Sequence, residues 1–456
     1  MRVTASLALA LATFLATLGA ALSLTPPAQS ATNDSWTVYH GDAAGSGVAT
    51  GFTSVDTSSA HWTSPALNGE LYGEPLVAGN DVYVATETDY VYALSATNGT
   101  ILWSRQVAAP VPSSALPCGD IIPDVGITGT PVIDPARHEL FVVADEMLAK
   151  SPHHVLVGLS LATGAPMMRH LVDPPGSNPA ALLQRTGLNL DRGRVVFAMG
   201  GNYGDCASYQ GRVIAVAENG ASQVTFTVDA ATGDSQGSVW MGGAAPVVDP
   251  SGDVWVSTGN GSVHSTGQRY DDSDGVLELS ASMHLVQYFA PSDWPANNAA
   301  DLDMSTAPVL LGASRVVLAG KSGIAYLLNA AHLGGIGHDE ASLSVCNANI
   351  DGGSATVGGV VILPCESGLV ALRVGPGATL HALWQNAAST GPAIYAAGLV
   401  WTIGQDGVLY GLSPTTGAIK QSTSVGTIIN HFPTPSVGDG LLLVPSADHV
   451  TAFSAS

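Results

Sequence analysis

The chain has 456 residues, of which 14 are Lys or Arg and 36 are Asp or Glu, giving a formal net charge of −22. A surface this acidic repels phosphate backbones and argues against nucleic acid as a partner. Only 11% of residues are charged, 46% are hydrophobic and 53 are glycine, which excludes a disordered chain and points to compact all-β structure.

Arg2 is a lone positive charge, residues 3–24 are almost wholly apolar, and Ala28-Gln29-Ser30 supplies small residues at the −3 and −1 positions. This predicts a secretory signal over residues 1–30, cleaved after Ser30, with an uncleaved N-terminal anchor as the alternative. No later stretch is long and apolar enough to span a bilayer. The expected product is exported, either secreted or associated with the cell envelope, with no membrane span after cleavage. Residues 31–59 form an N-terminal extension, and Ala60-His61-Trp62-Thr63-Ser64 reads as a strand.

From residue 73 onward one phrase recurs about every 45 to 60 residues: a first strand, a turn, a Val-rich strand, a Gly or Asp turn and a third strand. Prolines head the first strand at Pro75, Pro131, Pro246, Pro308, Pro392 and Pro435, where a missing N–H costs nothing at the ladder's end. Two further copies, entered from Gly187 and from Gly353, lack the proline and bring the count to eight. The second strands read DVYVAT, ELFVVA, RVVFAM, DVWVST, RVVLAG, GVVILP, LVWTIG and LLLVPS, and several copies carry a T-G or N-G turn into an outer fourth strand. Such a repeat cannot bury its own face and must stack on its neighbours. The last copy ends at Phe453-Ser-Ala-Ser without a fourth strand, while residues 60–64 have no first strand. The expected fold is therefore all-β: an eight-bladed β-propeller of four-stranded blades over residues 60–456, closed by the N-terminal strand in the last blade. Two smaller β domains are the alternative.

The four cysteines are Cys118, Cys206, Cys346 and Cys365. An even number in an exported chain favours two disulfides, and of three connectivities we favour Cys346–Cys365 and Cys118–Cys206. No C-x-x-C-H occurs, so no c-type haem is expected on this chain.

The repeats resemble the pyrroloquinoline quinone (PQQ) repeat of eight-bladed quinoprotein alcohol dehydrogenases, which also builds BamB-type outer-membrane assembly propellers that bind no quinone. The resemblance covers nearly the whole chain after residue 30 and is most specific from Trp240 to Asn329. DVWVSTGN ends at Asn260, matching the asparagine beside the quinone and its metal. NAADLDMSTAPVLL places Asp301 at the family's catalytic base and Asp303 at its second aspartate. LAGKSGIAYLLN puts Lys321, one of three lysines with Lys150 and Lys420, at the cation that contacts the quinone oxygens. Trp240 is the candidate aromatic floor, a few residues off the family's register. The resemblance thus implies cofactor binding by Asn260, Lys321, Trp240 and Asp303, and Ca²⁺ ligation by Asn260 and Asp301. Those types suit the chemistry: a carboxylate takes an alcohol proton, a cation stabilises a reduced quinone, and an amide oxygen helps hold Ca²⁺. The sequence also departs from the family. Ala300 replaces the tryptophan before the base, no glutamate stands near Asp205 and Cys206 where a metal ligand is expected, and no two cysteines are adjacent.

Each of these residues also has a plainer reading. Asn260 heads a Gly turn, Asp301 and Asp303 can cap a turn or lie on a solvated loop, and Lys321 precedes a Ser-Gly turn. Asp271, Asp272 and Asp274 fit a solvated loop better than a Ca²⁺ loop, and His153-His154 reads as an exposed loop pair. Two functions follow. One is a haem-free quinoprotein oxidoreductase oxidising an alcohol or sugar with PQQ. The other is a non-catalytic BamB-like propeller acting as an extracytoplasmic scaffold or ligand-binding protein. The expected partner is a small molecule or an envelope protein, and the expected state a monomer.

Overall fold

All six strand-heading prolines stand immediately before the first strand of a sheet, before Leu76–Ala78, Val132–Asp134, Val247–Val248, Val309–Leu311, Ala393–Ala396 and Ser436–Gly438. The two copies without proline open on Asn189–Asp191 and Ala355–Val357. The computed structural model describes Met1 and residues 35–430 and 432–456, so the leader expected over residues 1–30 lies, Met1 aside, outside the described residues. In each sheet the first strand pairs with the second, the second with the third and the third with an outer fourth. The result is an eight-bladed β-propeller. Blades 1 to 8 cover residues 76–106, 132–171, 189–227, 247–290, 309–344, 355–386, 393–424 and 436–455.

The composition of each strand sets its depth. Second strands such as Asp81–Ala85 and Val254–Thr258 are buried almost throughout, because neighbouring blades cover both faces. Outer strands such as Ile101–Gln106 are mostly exposed and carry the polar residues. In blade 8 the third strand, His449–Ala455, pairs with Trp62–Thr63 and also with Val55–Asp56, in registers Trp62 opposite Ala452 and Val55 opposite Ala455.

Tryptophans on outer strands fasten adjacent blades. Trp62 donates Nε1–H to the Ala96 carbonyl (2.7 Å), Trp103 to Leu161 (2.8 Å) and Trp384 to Pro414 (3.0 Å). Each ring covers the glycine of the next blade's turn. A Cβ at Gly99, Gly164 or Gly417 would lie 2.5 Å from that ring, and all three have positive φ, so both the turn and the contact require glycine.

Residues 36–49, inside the extension, form a strap across the channel. Trp36 exchanges backbone hydrogen bonds with Val77 of blade 1, and the Thr37 carbonyl accepts from Ile133 of blade 2. The Ala43 carbonyl accepts from Val248 and from Asn189 Nδ2, that of Ser46 from Thr356, and that of Gly47 from Tyr395. The strap thereby touches the inner strands of blades 1, 2, 3, 4, 6 and 7. Tyr39 and His40 are stacked 4.3 Å apart and are 4% and 0% exposed. The Tyr39 hydroxyl accepts the Gly353 N–H and faces Thr434, so it reaches blades 6 and 8. Among the described residues no helix is long and apolar enough to cross a membrane.

Candidate functional site

The connections entering the first strands and the turns between second and third strands gather at one mouth of the channel. Asn260, Asp301, Asp303, Lys321 and Trp240 lie on such segments of blades 4 and 5, and the structure brings all five together. Asp303, fully buried, is the hub. Its Oδ1 accepts the Asn260 backbone N–H at 2.6 Å, its Oδ2 lies 2.5 Å from the Lys321 ammonium, and its carbonyl accepts the Lys321 N–H at 2.9 Å. Gly259 and Gly320 leave space for it, since a methyl at either would collide with Asp303. Asp301 ends the short helix Trp294–Ala300 in the left-handed region, which Asp tolerates, and presents an exposed carboxylate 3.1 Å from Lys321. Burial alone would lower the Lys321 ammonium, but Asp303 and then Asp301 outweigh it and hold it above the usual lysine range. Burial raises Asp303, and Lys321 offsets only part of that rise.

Trp240 is held edge-on by its Nε1–H donated to the Gly201 carbonyl at 2.9 Å, with Gly200 against the ring, and Lys321 Nζ sits 6.0 Å from the ring centroid. Asn260 also has positive φ, and its Nδ2 donates to Asp205 Oδ2 at 3.0 Å. Tyr209 completes this side, donating to Asp205 Oδ1 at 2.5 Å and accepting from Ser238 at 3.0 Å. Sequence reading missed the roles of Tyr209 and Ser238 here. The phrase NYGDCASYQGR between two clear strands was the available signal, a polar loop long enough to fold back. Beside Asp205, the Cys118–Cys206 disulfide (Cα–Cα 5.9 Å) joins the loop before blade 2 to this loop. The second disulfide, Cys346–Cys365 (6.1 Å), lies between blades 5 and 6.

The Trp240 ring and the Lys321 ammonium that lies over it are the groups here with which a flat anionic ligand could interact. Calcium finds few free ligands in this arrangement. Ca²⁺ takes six to eight oxygens, whereas both Asp303 oxygens are committed and Asp301 already pairs with Lys321. The two Asp205 oxygens are likewise engaged, by Tyr209 and Asn260. Among the described residues the one group of three acidic or His/Cys ligand atoms within 4.8 Å of one another is Asp249, Asp253 and Glu278, on another part of blade 4.

Two loop readings need correction. Asp271, Asp272 and Asp274 are not on a solvated loop. They are 1%, 8% and 0% exposed, because the chain turns inward to start the third strand of blade 4. His153 and His154 are not a loop pair either. The hairpin of blade 2 is extended to Glu139–Leu148 and Ser151–Ser160, which places both in a strand and leaves His154 1% exposed. His154 Nδ1 lies 2.7 Å from Asp173 and Nε2 3.3 Å from Asp145, and His153 Nδ1 lies 2.9 Å from Asp173. Burial would lower the His154 imidazole, but Asp145 and Asp173 prevail and raise it to about 9. A raised folded pKa means that the folded chain holds this proton more tightly than the unfolded chain does, so protonation stabilises the fold. This contribution is full below the unfolded value near 6.5 and is lost as pH rises through about 9. The expected loss, on the order of 3 kcal/mol, is checked by urea unfolding from pH 6 to 10. His154→Gln should flatten that profile.

A family model described as outer membrane protein assembly factor BamB matches residues 43–276. The chain belongs to this PQQ-repeat propeller family. No curated protein matches the sequence. Among solved structures, the quinohemoprotein alcohol dehydrogenase ADHIIG from Pseudomonas putida HK5 is similar with a TM-score of 0.70 at 13% identity, over 92% of this chain and 80% of that one. A europium-containing methanol dehydrogenase gives 0.69 at 13% identity, over 93% and 98%. BamB from Moraxella catarrhalis gives 0.54 at 15% identity, over 83% and 92%. At these identities the likeness is one of fold.

Proposed function

We propose that this protein is an extracytoplasmic quinoprotein-type oxidoreductase that binds PQQ at the mouth of the propeller and oxidises an alcohol or sugar. The observation that carries this reading is the Lys321 ammonium, held between Asp301 and Asp303 beside the fixed ring of Trp240. A flat quinone stacked on Trp240 presents its oxygens to that cation. When bound, the quinone supplies the two-electron acceptor for the alcohol. Asp301 is the exposed carboxylate that takes the hydroxyl proton, and its neighbour Lys321 offsets negative charge developing at the ligand's edge. Asp303 fixes both Lys321 and the Asn260 turn. The two disulfides support an oxidising, extracytoplasmic location.

The test is dye-linked oxidation of a panel of alcohols and sugars by purified protein after adding PQQ, with EDTA or with Ca²⁺. Turnover with PQQ in both buffers is the expected result. Absence of PQQ binding in both would leave the scaffold reading. That second reading is favoured by one observation, the match of residues 43–276 to the BamB model.

A further inference from the structure

Blade 4 gathers three carboxylates at the edge away from the mouth. The turn Asp249-Pro250-Ser251-Gly252-Asp253 joins its first and second strands, and Asp253 heads the second strand, Val254–Thr258, whose far end leads to Asn260. Five strand residues at about 3.3 Å each put the turn roughly 16 Å from the mouth. At the same edge blades 2, 3 and 5 pair an acid with an arginine: Glu139 with Arg137 at 2.8 Å, Asp191 with Arg194 at 2.6 Å and Glu340 with Arg315 at 2.8 Å. In blade 4, Asp253 takes the place that Arg194 and Arg315 hold at the head of RVVFAM and RVVLAG. Among the described residues no ion pair reaches Asp249, Asp253 or Glu278.

Glu278 is the most informative of the three. It lies opposite Trp255 in the third strand and is only 8% exposed. Opposite the equivalent second-strand residue every other blade has Ala, Gly or Leu, as at Ala93, Ala215 and Leu327. Gln287, itself held by the Ala330 carbonyl and the Leu333 N–H, donates to Glu278 Oε2, and no hydrogen bond reaches Oε1. A carboxylate oxygen of Glu278 lies within 4.8 Å of one on Asp249 and one on Asp253. Burial lifts the Glu278 carboxyl above its usual range, and Asp253 and Asp249 add to the rise against the Gln287 bond. A buried carboxylate with a free oxygen beside two more is costly to keep without a positive charge. Asp249 does not supply a way out. Its Oδ1 accepts the N–H groups of Ser251 (2.8 Å) and Asp253 (3.0 Å) and its Oδ2 the Trp255 Nε1–H (3.2 Å). These donors are neutral, so the charge of Asp249 stays unanswered, unlike that of Asp301 and Asp303 beside Lys321.

We infer that Asp249, Asp253 and Glu278 bind a calcium ion, with Glu278 closing the site from the third strand. Carboxylates on the first and fifth residues of a turn, the Ser251 hydroxyl on the third and a glutamate from a later strand form an all-oxygen set, which suits this hard cation; water completes its six to eight ligands. A cavity of about 510 Å³ bounded by Asp253, Ser280, Ala281, Ser282 and two arginines gives the ion a way in. Arg192 donates to the Ser251 carbonyl, and Arg194 to Asp191 and the Ala281 carbonyl, so neither guanidinium pairs with the three carboxylates. The ion ties the turn to the third strand of blade 4, and the inference does not rest on the reading of the mouth.

The test is calorimetric titration of the full chain with Ca²⁺, without PQQ and after EDTA has been applied and removed. Wild type should bind with a Kd of about 1 mM or tighter. Glu278→Gln and Asp253→Asn should each bind at least about 10-fold more weakly, while Asp301→Asn at the mouth should bind as wild type does. Melting temperatures in EDTA and in Ca²⁺ give a second readout. In EDTA, Glu278→Gln should melt no lower than wild type, since it relieves repulsion among the carboxylates; in Ca²⁺ the wild type should gain and the variant should not. No binding to wild type at about 10 mM Ca²⁺, or equal affinity in wild type and both turn variants, would overturn the inference. So would binding lost in Asp301→Asn and kept in Glu278→Gln, which would place the ion at the mouth, or an equal Ca²⁺-induced rise in melting temperature in wild type and Glu278→Gln. Should Glu278→Gln fail to fold, Asp253→Asn, at a half-buried position in the turn, decides the matter.

Discussion

Asp301→Asn is expected to bind PQQ as wild type does and to lose dye-linked alcohol oxidation by about 10²–10⁴-fold, the usual contribution of a positioned general base. The side chain is exposed at the end of a helix and is tied to the site only through Lys321 at 3.1 Å. Replacing one carboxylate oxygen by an amide therefore removes the proton acceptor without disturbing packing. Lys321 keeps its closer partner, Asp303, so the cation stays in place. The paired measurement is PQQ affinity by quenching of tryptophan fluorescence alongside turnover at saturating PQQ. Loss of both together would assign Asp301 to binding, and unchanged turnover would remove it from the mechanism.

Asp303→Ala should act in the opposite way, on the fold of the site first. Its carboxylate is fully buried and serves two donors at once, the Asn260 backbone N–H and the Lys321 ammonium. Removing it leaves a partly buried ammonium with only an exposed partner, and an amide without an acceptor. Breaking one side of a buried pair costs about 3–5 kcal/mol, and the remaining contact with Asp301 places the expected value near the lower end, about 3 kcal/mol. Urea unfolding checks this. A change below about 1 kcal/mol would mean that the pair behaves as a surface salt bridge. Lys321 should also lose its fixed position, so PQQ affinity is expected to fall in the same variant.

The blades were legible in the sequence because their signals are local. A proline before a short strand, a Val-rich second strand and a T-G or N-G turn each follow from backbone chemistry, and all six prolines do stand at first strands. The convergence of Asn260, Asp301, Asp303 and Lys321 could be expected from the family resemblance together with the radial placement of inner strands. What the sequence hid was long-range. Nothing in WTVYHGDAAGSGV shows that residues 36–49 cross the channel and bond to six blades, since their partners are mostly backbone groups scattered from Val77 to Tyr395. Asp271, Asp272 and Asp274 look solvated in the sequence because a run of charges carries no information about depth. Their burial comes from the inward turn before Gly275–Leu279. His154 was misplaced for a similar reason: the exceptional length of the blade 2 hairpin is set by pairing along ten residues on each strand, which alternation alone does not reveal.

The most direct test of the account is a crystal structure of the protein soaked with PQQ. The account predicts the quinone stacked on the Trp240 ring, with ring oxygens toward Lys321. Quinone ordered elsewhere on the propeller, or a mouth left empty at saturating PQQ, would contradict it.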